Sequence, residues 1–69
     1  MYKYEINIHW SDEDNAFIAV VPELPGCMAD GASYEEAVQN AQIIIGEWIE
    51  TAQGLGRPIP QPKKHNKVA

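Results

Sequence analysis

The sequence holds one cysteine, five basic side chains against ten acidic ones, and no long apolar run. Each shortage excludes something. A lone Cys27 forbids an internal disulfide. With no export signal in the alternating residues 1–10, it fits a reducing cytoplasm. A net charge of −5 argues against nucleic acid or an anionic membrane as partner, because those surfaces need Lys and Arg to neutralise phosphates. No segment approaches the ~20 apolar residues of a membrane span. Residues are also few. The 69 present make one small domain, in which apolar burial barely offsets about 1.5 kcal/mol of ordering entropy per residue. Without a disulfide, such a chain favours self-association or a partner.

The charge is uneven. Residues 1–56 carry all the acids and one base, Lys3, whereas residues 57–69 carry Arg57, Lys63, Lys64 and Lys67. An acidic body suits a basic protein partner through electrostatic steering.

Patterning predicts a small α+β domain. Tyr2, Tyr4, Ile6, Ile8 and Trp10 alternate with polar residues, the period of a strand with one wet face. A polar turn at residues 11–15 leads to residues 16–21, which are apolar on both faces. Phe17, Ala19 and Val21 lie on one face, Ala16, Ile18 and Val20 on the other. One face can meet the domain's own helix. Ile18 and Val20, with Ile59, are expected in an intermolecular contact if they point away from it.

Pro22, Pro25 and Gly26 mark a break and a sharp turn before a short third strand at residues 27–29. Ser33 and Glu36 have capping-box spacing. From Ser33 to Gln53 the stripe Tyr34, Ala37, Val38, Ala41, Ile44, Ile45, Trp48 and Ala52 predicts one amphipathic helix, with Gly54 as its C-cap. Ile43 lies opposite that stripe, as a lone exposed isoleucine or a partner contact. Pro58, Pro60 and Pro62 remove donors from one edge only, so residues 57–62 read as a blunted edge strand, with a polyproline II stretch as the competing conformation. The expected layout is β-β-β-α-β over residues 1–62, a small antiparallel sheet with the helix on one face. Residues 63–69 are expected to form a flexible basic tail.

No set of side chains suggests catalysis. Cys27 with His9 or His65 lacks a third group to orient the base, and reads as a packed small hydrophobe. Asp12, Glu13 and Asp14 fit a solvated hairpin tip better than a metal loop. Asp30, Glu35 and Glu36 flank a helix start, where capping explains them. No catalytic residue, metal site or cofactor is expected, and the chain reads as a binding module.

Three stretches, in order, resemble one family. They are P-E-L-P-G-C (Pro22, Leu24, Pro25, Gly26, Cys27), D-G-x-S-x-E-E-A (Gly31, Ser33, Glu36, Ala37) and a closing I-P at Pro60. This series resembles the HicB-like antitoxins of bacterial and archaeal toxin–antitoxin pairs, across about residues 2–62. The resemblance implies a degenerate RNase H-like fold without that activity. It also implies assembly as a homodimer or tetramer, and inhibition of a small basic HicA-like toxin that cleaves mRNA. The family's DNA-binding half has no counterpart in these 69 residues, which counts against direct DNA binding. The alternatives are a stand-alone homo-oligomeric scaffold of the same fold and, less favoured, a divergent metal-dependent nuclease using Asp30.

Overall fold

A computed structural model describes residues 2–63. The element order is β1 (Asn7–Ser11), β2 (Ala16–Val20), β3 (Met28–Gly31) and α1 (Tyr34–Gly54). The strands form one antiparallel sheet in the order β1-β2-β3. The helix packs chiefly on β3 and then on β2. This is the expected α+β arrangement.

The hairpin turn needs one left-handed residue, and Asn15 supplies it at φ 51°. Asparagine tolerates this region better than other side-chain-bearing residues. Ser11 Oγ accepts from the Asp14 backbone N–H at 3.2 Å and fixes the bend.

Two β-turns in succession reverse the chain after β2. The Leu24 N–H donates to Val21 O at 3.1 Å, and the Cys27 N–H to Leu24 O at 2.9 Å. Each turn has proline at its second position, where φ is preset. The second has Gly26 at φ 76°, which a type II turn requires. The double turn tucks Leu24 inward, where its exposure is 0%.

Ser33 caps α1 by accepting from the Glu36 N–H at 3.1 Å. Glu36 does not complete the reciprocal bond to Ser33. Its Oε1 accepts from the Ala32 N–H at 3.1 Å, one residue further out. The helix also ends later than expected. Leu55 is the C-cap, and Gly56, not Gly54, adopts the left-handed conformation at φ 68°. The Gly56 N–H bonds to Gln53 O and the Arg57 N–H to Ala52 O, the paired bonds of a Schellman motif.

The core has two parts. Tyr4, Val21, Leu24, Cys27 and Ile45 form the larger, flanked by Ile6, Ile44, Trp48 and Ile49. Ala19, Ala37 and Ala41 form the smaller. These alanines let helix and sheet approach closely. The limit is at Gly31, where an added Cβ would lie 2.4 Å from the Ala37 nitrogen.

Two expected strands are revised. The first was to span residues 2–10, but its ladder begins at Asn7. Asn7 pairs with Val20, the last residue of β2, so nothing remains for residues 2–6 to pair with. The Tyr2 N–H instead donates to Gln42 Oε1 on the helix at 2.9 Å. The closing edge strand at residues 57–62 is absent among the described residues. Its segment is held by side chains: the Tyr4 hydroxyl donates to Pro60 O, and the Lys63 N–H donates to Glu23 Oε2 at 2.9 Å. The β-β-β-α part of the layout therefore stands, and the RNase H-like reading has no fourth strand to rest on here. The expected tail lies, beyond Lys63, outside the described residues.

Candidate interaction face

The register settles which side of β2 meets the helix. Ile8, Ala19 and Ala29 stand in one cross-strand row, and Trp10, Phe17 and Gly31 in the next. Ala19 is fully buried with Ala37 and Ala41, so these rows lie on the helix side. Side chains alternate across a strand. The other side therefore carries His9–Ile18–Asp30 and Asn7–Val20–Met28 as its rows.

Among the described residues, no helix covers that second side. Ile18 and Val20 are half-buried on it, and Met28 is 55% exposed. With Ala16 they make an apolar strip across β2 and β3. Asp14 and Asp30 line a shallow hollow there together with Ile18, Met28 and Ala29. Met28 was absent from the sequence-derived set. The signal was available, since antiparallel pairing places it beside Val20.

Acidic groups gather at one end of the molecule. The hairpin tip carries Asp12, Glu13 and Asp14, and Asp30, next to last in β3, shares the hollow with Asp14. Glu35 and Glu36 open the helix at the same end, where Tyr34 stacks on Phe17 with ring centroids 4.3 Å apart. Six of the ten acids are thus placed together. Arg57 lies beyond the far end of α1, and Lys3 precedes β1 at the end opposite the hairpin tip.

The structure separates the other expected contact residues. Ile43 is 58% exposed on α1, two residues from buried Ala41 and Ile45, and so points away from the sheet. It is on the opposite side of the molecule from Ile18. Ile59 is half-buried in the C-terminal segment and belongs to no strand. The family-motif residues are structural: Pro22, Pro25 and Gly26 make the turns, Leu24 and Cys27 fill the core, Gly31 and Ala37 permit close packing, and Ser33 and Glu36 cap the helix. Pro60 receives the Tyr4 hydroxyl.

Nucleophilic chemistry at Cys27 is disfavoured. The residue is 2% exposed, and burial pushes its thiol above the ordinary range. A reactive cysteine needs the opposite shift. His9 is on the other side of the sheet and cannot serve as its base. His65 lies outside the described residues. Among the described residues no group of three His, Cys, Asp or Glu side chains could hold a metal ion. No helix there is long and apolar enough to cross a membrane.

Comparison with known proteins adds a lineage to this geometry. A family model described as the HicB_like antitoxin of bacterial toxin–antitoxin system matches residues 4–69. A UPF0150 protein of Synechocystis is 36% identical over 47 residues, covering 68% of this chain and 64% of that protein. A UPF0150 protein of Thermoplasma acidophilum is 36% identical over 59 residues, 86% of this chain and 84% of that one. A second Synechocystis UPF0150 protein is 31% identical over 61 residues, 88% of this chain and 76% of that one. No solved structure gives a significant match.

Proposed function

The chain belongs to the HicB-like antitoxin family, and we propose that it binds a small basic toxin of the HicA-like, mRNA-cleaving kind and blocks it without catalysis of its own. The observation that carries this reading is the helix-free side of the sheet. It sets an apolar strip (Ile18, Val20, Met28) beside a concentrated acidic end. An apolar centre with charged surroundings is the anatomy of a protein–protein contact. The acidic end steers a basic partner toward it and excludes acidic ones.

The setting proposed is the cytoplasm, where an mRNA-cleaving partner acts. The test is co-expression with the small basic protein encoded beside this one. Relief of its toxicity and co-purification of the two chains support the proposal. A neighbour that is harmless or does not co-purify overturns it, and favours the stand-alone scaffold.

A further inference from the structure

A groove of about 370 Å³ lies between the C-terminal half of α1 and the segment that follows it. The chain builds it from apolar parts. Trp48 and Leu55 stand on the helix, Ala52 lies between them as the floor, and Pro58 and Pro60 form the opposite wall. Arg57 is the one charged residue of the lining, and Thr51 adds a hydroxyl.

Each wall is held in place. Trp48 Nε1 donates to Pro25 O at 3.0 Å, which fixes the plane of the indole. The Arg57 N–H donates to Ala52 O at 2.8 Å, so the Schellman bonds set where Leu55 and Arg57 leave the helix. The Tyr4 hydroxyl pins Pro60. The proline rings stiffen that wall further by fixing φ. A preformed hollow spares a ligand the entropy of ordering it. Its volume, and a lining that is apolar with few polar groups, are those of small-molecule sites.

Arg57 sets the class of ligand. Residues 1–56 carry every acid of the chain, so most of its surface repels anions. No acid lines this groove. Lys63, by contrast, shares its hollow with Glu5 and Glu23. A guanidinium meets a carboxylate with two parallel hydrogen bonds, while the indole and the prolines suit an apolar body. Glu47 stands one helical turn before Thr51, so a longer acidic segment would meet repulsion along α1.

We propose that this groove binds a small carboxylic acid with an aromatic or branched aliphatic body. The carboxylate sits on Arg57, and the body lies between Trp48, Leu55 and Pro58. The groove is at the opposite end of α1 from the acidic helix start, and the proposal does not depend on the toxin-binding reading.

The probe is phenylpropionate, titrated into the full chain and followed by the indole N–H resonances of its two tryptophans. Trp48 reports the groove. Trp10, whose indole donates to Asp12 at the hairpin tip, is the internal control. Trp48 is expected to shift saturably with a Kd on the order of 1 mM, the affinity usual for so small a ligand, while Trp10 stays in place. The neutral isostere phenylpropanol should bind at least roughly fivefold more weakly, and Arg57→Gln should abolish that preference. The substitution leaves the backbone bonds of the helix end intact. An unmoved Trp48, equal shifts at both indoles, or equal affinity for the acid and the alcohol overturns the proposal. So does a Trp48 resonance that moves on dilution of the protein alone, which would give the groove to a second copy. If Arg57→Gln fails to fold, the comparison of acid with alcohol in the wild-type chain decides.

Discussion

The two sides of β2 are equally apolar in sequence and unequal in the fold. On one, Ala19 and Val21 are 0% and 1% exposed beneath α1 and the turn that follows the strand. On the other, Ile18 and Val20 are half-buried, with no helix of the described residues above them. A strand needing only one covered side would alternate apolar and polar, as β1 does. The unrelieved apolarity of β2 therefore records two packing demands. The chain itself meets one, and we assign the other to a partner.

The largest expected effect is on the covered side. Gly31→Ala places a methyl group 2.4 Å from the Ala37 nitrogen, against backbone that cannot swing aside. It should lower unfolding free energy by about 1–3 kcal/mol, read from denaturant melts. A change within a few tenths would mean that the helix start moves freely, and that the covered side is not closely fitted.

A smaller effect lies in the same core. Burial first, then the charge of Glu23, then Tyr2, raise the Tyr4 phenol above its ordinary value of 10.0. The fold thus favours the protonated phenol, which donates to Pro60 O. Its contribution to stability is complete below the unfolded value and is lost as pH rises through the folded one. Thermal midpoints should fall above about pH 10, and less steeply in Tyr4→Phe. Identical alkaline slopes for the two chains would remove Tyr4 from the account.

Much of this architecture was legible in the residues, for identifiable reasons. The helix start was readable because Ser33 and Glu36 stand at capping distance ahead of an apolar stripe. The break after β2 and its sharp turn were readable because Pro22, Pro25 and Gly26 have fixed backbone preferences; that two turns follow in succession was not. The side of β2 that meets the helix was not, since both sides are apolar. Ala37 and Ala41 decide it, because they accommodate Ala19 at a spacing that excludes Ile18. The C-cap was misplaced because Gly54 and Gly56 are two residues apart. Only the carbonyls of Ala52 and Gln53 select between them. The closing strand failed for a related reason. Proline spacing shows which donors are missing from a segment, but not whether a neighbouring strand is there to receive the rest. Met28 went unnoticed because its membership of the open side follows from register, which a four-residue strand signals weakly.

The most direct test of the central claim compares affinities for the neighbouring basic protein across the two outer surfaces. Ile18→Asp and Ile43→Asp each place a carboxylate on an isoleucine that α1 does not bury, one on the open sheet side and one on the back of the helix. Ile43→Asp should cost less than about 1 kcal/mol in stability and Ile18→Asp about 1–2 kcal/mol, since its carboxylate faces Asp30 across the β2–β3 ladder, both checked by the same melts. By isothermal titration, Ile18→Asp should weaken binding by at least roughly tenfold, and Ile43→Asp should leave it within about twofold. Unchanged affinity for Ile18→Asp, or a larger loss for Ile43→Asp, would contradict the assignment of the open sheet side as the toxin-binding surface.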